Sequence, residues 1–306
     1  PALRNHLRSE AGASMILRRC PEFVDQPFKP LVSTRTMAGK NISELRLRYR
    51  FHYEGEYGIN HFQAPYWSGF DKQLGLIFIA DIKKGTIETL RPDGTLAGAW
   101  VNGLAAPRGF IINEEKDLLV CCHQSGQVVK VKANGEKQIF MDFNDHAHEL
   151  APCFYPMILQ RFDQTLFFLF SSKDLHKRKV YIFEKGKWTE IPTKGLTVNF
   201  IRVHKRELFF NDTLSGQLFK YDHLLRKINR INLEPFQGVY YDFCLTKEAI
   251  YHLFNSRNRI LVKSNLDGET IFRSICRNAT ETSISHILSI QAVEMDGKMK
   301  LILSDA

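Results

Sequence analysis

Short apolar runs separated by turn residues recur along most of the chain. Residues 76–80 are continuously apolar and end at Asp81, a turn follows at residues 83–85, and residues 86–90 alternate between apolar and polar. Similar runs follow at intervals of roughly 40 to 50 residues, the length of a four-stranded propeller blade. They cover residues 118–122, 166–170, 207–212, 249–255 and 301–305. Six runs predict an all-β fold, a six-bladed β-propeller.

The same pattern predicts how the ring of blades closes. Residues 44–53 alternate between apolar and charged side chains, which is typical of a half-buried strand. The sequence stops shortly after the sixth apolar run, so the last blade needs two more strands. We expect residues 46–53 to pair with the blade that contains residues 286–305, and the segment 14–19 is a candidate for the other strand. Such pairing removes two exposed sheet edges.

The domain organisation follows from where the repeat begins. Residues 1–45 do not follow the blade pattern and are interpreted as an irregular N-terminal arm that is able to contribute a closing strand. Residues 46–306 form the predicted propeller. No stretch rich in proline, glycine or serine separates a second folded domain.

Charge and cysteine content narrow the class of partner. The chain of 306 residues has a net charge of +9, with much of the excess in residues 173–230, and this favours acidic partners such as nucleic acid. No apolar run approaches the ~20 residues of a membrane span. The six cysteines lack metal-binding spacing, which favours reduced, buried thiols and a cytoplasmic location.

Motifs for catalysis are absent from the sequence. It contains no GxSxG elbow, phosphate-binding glycine loop, dinucleotide-binding glycine pattern or HExxH helix. His146 and His148 form an H-x-H pair that is able to bind zinc, but the signal is weak, because a third ligand would have to come from another blade, for instance His123 or Asp212. We therefore expect no cofactor, no bound metal and no enzymatic activity.

Several short motifs resemble those of NHL-repeat propellers, the domains found at the C-terminus of TRIM-NHL and Brat-like proteins. The matching residues are Gly55, Gly58, 61–65, Asp81, the Asp93-Gly94 turn and the segment 107–110. The likeness covers roughly residues 46–306 and is degenerate in the later blades. Propellers of the SMP-30/lactonase type are an alternative, since Asp212 resembles the position at which that family places a metal-binding aspartate.

One face of the predicted propeller collects residues suited to nucleic acid. The loop that enters each innermost strand and the loop that leaves the second strand lie on the same face. Arginine and lysine bind phosphates, aromatic rings stack on bases, and asparagine or histidine reads base edges. These positions hold Tyr66, Lys83, Arg108, His123, Tyr155, Lys173, Arg202, Asn211, Tyr240, Asn255, Arg257 and Arg259.

The resemblance to NHL propellers implies that this face binds single-stranded RNA. The predicted function is therefore a non-enzymatic RNA-binding module in post-transcriptional regulation. A protein–protein interaction platform is the first alternative. A metal-dependent, lactonase-like hydrolase is the second, and in that case Asp212 would be a metal ligand.

Overall fold

A computed structural model gives the architecture of most of the chain. It describes residues 15–19, 36–37, 40–41, 51–53, 62–92, 95–144, 154–172, 177–193, 195–234, 239–255, 260–275, 287–295 and 298–305. All regular elements in these ranges are β-strands. None of the described residues belongs to a helix long and apolar enough to cross a membrane.

Five antiparallel blades are built from four consecutive strands each, and we number them one to five in chain order. The strands of blades one and two are Pro65–Asp71, Leu76–Asp81, Thr86–Leu90, Leu96–Val101, Pro107–Ile112, Leu118–Cys122, Gln127–Val131 and Lys137–Asp142. Those of blades three and four are Phe154–Phe162, Thr165–Ser172, Arg178–Glu184, Lys187–Ile191, Val198–His204, Glu207–Asp212, Gln217–Asp222 and Lys227–Ile231. Those of blade five are Val239–Leu245, Ile250–Asn255, Ile260–Ser264 and Thr270–Ile275.

A further four-stranded sheet, here called the closing sheet, joins the two ends of the chain. Strand Ile287–Met295 pairs with Lys298–Asp305, which pairs with Met15–Arg19, and Phe51–Tyr53 completes the sheet. The N-terminal segments therefore supply both outer strands. Their order differs from the expectation, because residues 51–53 pair with Met15–Arg19 and not directly with the C-terminal strands.

The β-propeller fold is confirmed, while the expected count of six repeated blades is corrected. Only five blades consist of four consecutive strands, and the closing sheet is assembled from both termini. The first strands of the five blades and of the closing sheet contact one another in a closed ring. They therefore surround the propeller axis. The remaining two-stranded sheet joins Thr36–Met37 to Lys40–Asn41.

Burial explains the apolar runs that the sequence repeats. Second strands such as Leu76–Asp81 and Thr165–Ser172 are buried on both faces, because each lies in the middle of a blade packed between two others. Strands buried on both faces are continuously apolar. Outer strands are more exposed, as Lys137–Asp142 shows. The closing sheet packs on blade one through Val293 and Ile302.

A β-bulge near the start of the innermost strand recurs in every blade. The register shifts between Pro65 and Trp67 in blade one and between Tyr240 and Asp242 in blade five, and equivalent shifts occur in the other blades and the closing sheet. A bulge inserts an unpaired residue and re-aims side chains. The bulges all lie at the end of the propeller where the innermost strands begin, which we call the axial mouth.

Candidate functional site

Bulge residues of four blades lie together at the axial mouth. Tyr66 comes from blade one, Arg108 from blade two, Asn199 and Phe200 from blade four, and Tyr241 from blade five. The ring of Phe200 lies 6.0 Å from that of Tyr66 and 5.8 Å from that of Tyr241, measured between centroids. The repeated bulge therefore builds one cluster of aromatic and polar side chains around the axis.

Two arginines belong to this cluster. The guanidinium of Arg108 lies 5.0 Å from the centroid of the Tyr66 ring. Arg178, from the third strand of blade three, donates to the carbonyl of Val198 and to the side-chain oxygen of Asn199. Burial lowers the pKa of Arg178, and the positive charge of Arg108 contributes in the same direction. Both arginines therefore contact residues of the same cluster, Arg108 through Tyr66 and Arg178 through Asn199.

Two phenol groups belong to the same cluster, those of Tyr66 and Tyr241. Burial raises the pKa of Tyr241, and the Tyr66 hydroxyl contributes in the same direction. A phenol with a raised pKa keeps its proton at neutral pH and is able to donate a hydrogen bond. Tyr241 therefore offers a neutral donor beside two positive charges.

His123 connects blades two and three at the mouth. Its Nε2 lies 2.9 Å from the hydroxyl oxygen of Ser171, and its ring centroid lies 5.5 Å from that of Tyr155. Burial lowers the pKa of His123 to about 4, and the positive charge of Arg108 adds to this effect. The imidazole is therefore uncharged at neutral pH. A neutral histidine has one nitrogen that is able to accept a proton.

A second histidine has similar contacts but a different environment. His252 lies inside blade five, with Nδ1 2.6 Å from the Tyr240 hydroxyl and Nε2 2.7 Å from the Ser264 hydroxyl. Both ring nitrogens are occupied. Burial lowers its pKa to about 3. The Nδ1 of His123, in contrast, has no hydrogen-bond partner within the described ranges. His123 therefore has a nitrogen available for chemistry, whereas His252 is structural.

A buried ion pair fills the axis near this cluster. Arg202 donates from Nη2 to Asp242 Oδ2 at 3.0 Å and to the Ile290 carbonyl at 3.1 Å, and its guanidinium carbon lies 3.9 Å from the Trp67 ring centroid. The pair thus ties blades one, four and five to the closing sheet. Burial raises the pKa of Asp242 to about 6, although Arg202 opposes the rise.

The structure brings together four of the residues predicted for RNA binding: Tyr66, Arg108, His123 and Tyr155. Lys83 is exposed. Lys173, Arg257 and Arg259 lie outside the described residues, and only the backbone of Asn255 is described. The RNA-binding role of these positions stays a prediction.

Three other predicted contact residues point into the protein. Tyr240 is fully buried and stacks on Phe254 at 4.8 Å between centroids, so the prediction that it stacks on a base is wrong. Asn211 is also fully buried, and its amide bonds the backbone of Phe200, Tyr240 and Tyr241. Arg202 is engaged in the buried ion pair. These residues hold blades together and are not available to a nucleic acid.

Five residues of the cluster were not predicted from the sequence: Ser171, Arg178, Asn199, Phe200 and Tyr241. Ser171 ends an apolar run and resembles any turn residue. Arg178 lies within a basic stretch, where a solvated position is the simplest interpretation. Tyr241 follows Tyr240, and only the bulge decides which of the two faces the mouth. The one signal that the sequence offers for Tyr241 is that it directly follows a tyrosine predicted to lie on the propeller face.

Asp212, which the sequence analysis names as a candidate metal ligand, fixes two loops through hydrogen bonds to their backbone. Its carboxylate accepts hydrogen bonds from the backbone N–H groups of Thr197, Leu214 and Ser215. Asp81 has the same place in blade one and accepts from four backbone N–H groups, including those of Gln63 and Lys84. Both carboxylates therefore fix the connections at the axial mouth.

We expect Asp212→Ala to lower the free energy of unfolding by about 2 kcal/mol, because three backbone N–H donors lose a buried, charged acceptor. Chemical denaturation should show this loss equally with and without added Ca²⁺ or chelator. Asp222→Ala is the control, since its carboxylate caps an exposed turn through Leu224 and Leu225. A loss that appears only when calcium is removed would contradict the loop-holding role.

Comparisons with known proteins show the fold and no family. No protein family model matches the sequence, and no curated protein matches it. The NHL-repeat assignment therefore finds no support.

Solved structures match along most of the chain. A gluconolactonase from Xanthomonas campestris has a TM-score of 0.57 at 12% identity, covering 80% of this chain and 89% of that one. A catalytically inactive virginiamycin B lyase from Staphylococcus aureus, solved with quinupristin, has a TM-score of 0.57 at 11% identity and covers 97% of each chain. The calcium-binding protein regucalcin from Agrobacterium tumefaciens has a TM-score of 0.55 at 12% identity, covering 79% of this chain and 90% of that one.

These matches contradict the prediction that the protein is not an enzyme. The similar propellers include a gluconolactonase and a lyase, and none of the comparisons supports RNA binding. At these identities the likeness itself shows the fold alone. The residues at the axial mouth must therefore carry any statement about chemistry.

The described residues do not fit a divalent cation, such as the calcium for which regucalcin is named. No group of three or more histidine, cysteine, aspartate or glutamate side chains within the described ranges is placed to hold a metal. Arg108 and Arg178 place positive charge at the axial mouth, which opposes a cation. Asp212 holds loops and Asp242 is paired with Arg202. The chemistry of the site is therefore derived from its own side chains.

Proposed function

We propose that the protein is a lactonase-like hydrolase that opens a small cyclic ester at the axial mouth by general-base catalysis. The observation that carries the proposal is His123, an uncharged imidazole whose Nδ1 has no hydrogen-bond partner among the described residues and whose pKa the positive charge of Arg108 helps to lower. The propeller fold shared with a gluconolactonase supports the choice of reaction. The metal-dependent mechanism of the second sequence-based alternative is replaced by acid–base chemistry, because the donor set is cationic and phenolic.

The proposed roles follow from the contacts. In the tautomer assigned here, the proton is on Nε2 and is donated to the Ser171 hydroxyl, 2.9 Å away, which makes Nδ1 the proton acceptor. Nδ1 takes a proton from water, and the water oxygen forms a bond to the ester carbonyl carbon. The positive charge of Arg108 stabilises, by its field and without a direct hydrogen bond, the negative charge that develops on the carbonyl oxygen. When the ring C–O bond breaks, the leaving oxygen takes the proton from His123, which yields an acid and a hydroxyl group.

Activity is tested with purified protein and a panel of five- and six-membered lactones, with ring opening followed by acid release. We expect His123→Gln to lower kcat/KM by about 10²- to 10⁴-fold, the usual contribution of a general base. Arg161→Met is the control, because Arg161 is exposed at the opposite end of the innermost strand of blade three. Thermal melting establishes that each variant is folded. Full activity in His123→Gln would overturn the assigned base.

The pH profile gives an independent check. The pKa of His123 is lowered to about 4, so the imidazole is protonated below that pH and free to accept a proton above it. We expect kcat/KM to rise as pH increases through about 4 and then to remain level through neutrality. A rising limb near the ordinary histidine pKa of about 6.5 would contradict the proposed environment of His123.

RNA binding, protein binding and a cytoplasmic location stay predictions of the sequence. They are separable from catalysis by ordinary binding and localisation assays.

A further inference from the structure

The axial mouth holds two positive charges without a described counter-charge. Neither Arg108 nor Arg178 forms an ion pair with a carboxylate in the part of the chain that the structure describes. The buried arginine at the axis differs in this respect, because Arg202 is paired with Asp242. Partly buried guanidinium groups in one cluster are unfavourable without a counter-charge, unless an anion joins them.

The hydrogen bonding of Arg108 gives a second, independent observation. Its Nε is buried and has no hydrogen-bond partner in the described structure. A buried donor without a partner costs about 1–3 kcal/mol, so most such groups in proteins are satisfied. Arg178 uses Nη1 for Val198 and Asn199, and no described acceptor takes its remaining N–H groups. Donors are thus left over on both arginines.

The side chains around the two arginines are aromatic or phenolic. The Tyr66 ring lies under Arg108, and Phe200 packs between Tyr66 and Tyr241. The neutral phenol of Tyr241 adds a further donor. An arginine fork binds the paired oxygens of carboxylate or phosphate.

From these contacts, we propose that Arg108 and Arg178 bind an oxyanion group, a carboxylate or a phosphate, carried by the small-molecule substrate. The inference rests on the proposed hydrolase and specifies its substrate class: a cyclic ester with a negatively charged substituent.

Binding of simple anions tests the site without any turnover. The full chain is titrated calorimetrically with benzoate and with inorganic phosphate, against chloride at equal ionic strength. We expect saturable binding of at least one of the two anions, and the stronger binder identifies the group. Arg108→Met and Arg178→Met should each weaken it about tenfold or more, while the exposed control Arg161→Met should leave it unchanged. Absence of binding beyond chloride, or equal binding by all variants, would overturn the proposal.

Two further variants keep this result separate from catalysis. Arg108→Lys retains the positive charge but loses the paired N–H groups of the guanidinium, so we expect weaker anion binding. This variant serves as the test if Arg108→Met does not fold. His123→Gln should still bind the anion although it does not turn over lactones, which distinguishes the subsite from the reaction. If neutral lactones are opened as efficiently as charged ones, the oxyanion subsite is wrong while the hydrolase stands.

Discussion

Replacing Arg202 with methionine is expected to lower the free energy of unfolding by about 3–5 kcal/mol, because it leaves a charged partner buried. Asp242 is fully buried, and Arg202 is only 6% exposed. The same guanidinium satisfies the carbonyls of Phe243 and Ile290 and packs on Trp67. The loss is measured by denaturant unfolding at neutral pH.

The control for this prediction is an exposed ion pair. Lys132 and Glu136 are 3.0 Å apart with side chains 41% and 55% exposed, so Lys132→Met should cost less than about 1 kcal/mol. Adding Asp242→Asn to the Arg202→Met variant should restore part of the loss, because the uncompensated charge is removed. Equal effects of the buried and the exposed variants would contradict the role of the axial pair.

Asp242 also predicts a pH dependence of stability. Burial raises its pKa from 3.8 to about 6, so the folded state keeps a proton between these pH values that the unfolded state has released. The stability contributed by this proton is present below the unfolded pKa and is lost as pH rises through about 6. Asp242→Asn should remove this part of the slope between pH 4 and 6.

Leu17→Pro is expected to lower the free energy of unfolding on the order of 3 kcal/mol by breaking the closing sheet. Leu17 lies opposite Ile302 on one side and Phe51 on the other, so its strand has partners at both edges. Proline lacks the N–H that a central strand donates to its neighbours. The change is measured by denaturant unfolding and by the cooperativity of thermal melting.

Leu17→Val is the matched control, because it keeps the backbone donor and a β-branched residue suits a strand. It should change stability much less than the proline variant. Unchanged unfolding in Leu17→Pro would mean that Met15–Arg19 does not close the propeller.

The blade repeat and the N-terminal closing strand could be predicted from the sequence because both follow from the spacing of apolar residues along the chain. Buried second strands are apolar on both faces, and their regular spacing identifies the blades. The alternating residues 44–53 likewise indicate a strand whose edge needs a partner. The order of the two N-terminal strands was not accessible, since either arrangement satisfies the same pattern.

The site was only partly predictable because bulges change which way a side chain points. Reading residues by position places Tyr240 and Arg202 on the propeller face, yet both point into the protein. One inserted residue exchanges Tyr240 for Tyr241 at the mouth. Basic composition identifies an attraction for anions in general, and it does not distinguish an RNA backbone from the oxyanion of a small substrate.

The closing sheet also has a consequence for how the chain folds. Met15 pairs with Ser304, so this contact joins positions near opposite ends of the sequence. On the ribosome, strand Met15–Arg19 is synthesised long before its partner Lys298–Asp305 leaves the exit tunnel. Contacts of such large sequence separation slow folding because loop-closure entropy is lost before they form. The edges of strand Met15–Arg19 therefore remain unpaired until Lys298–Asp305 has been synthesised. During this time the nascent chain is able to misassemble or to bind a chaperone.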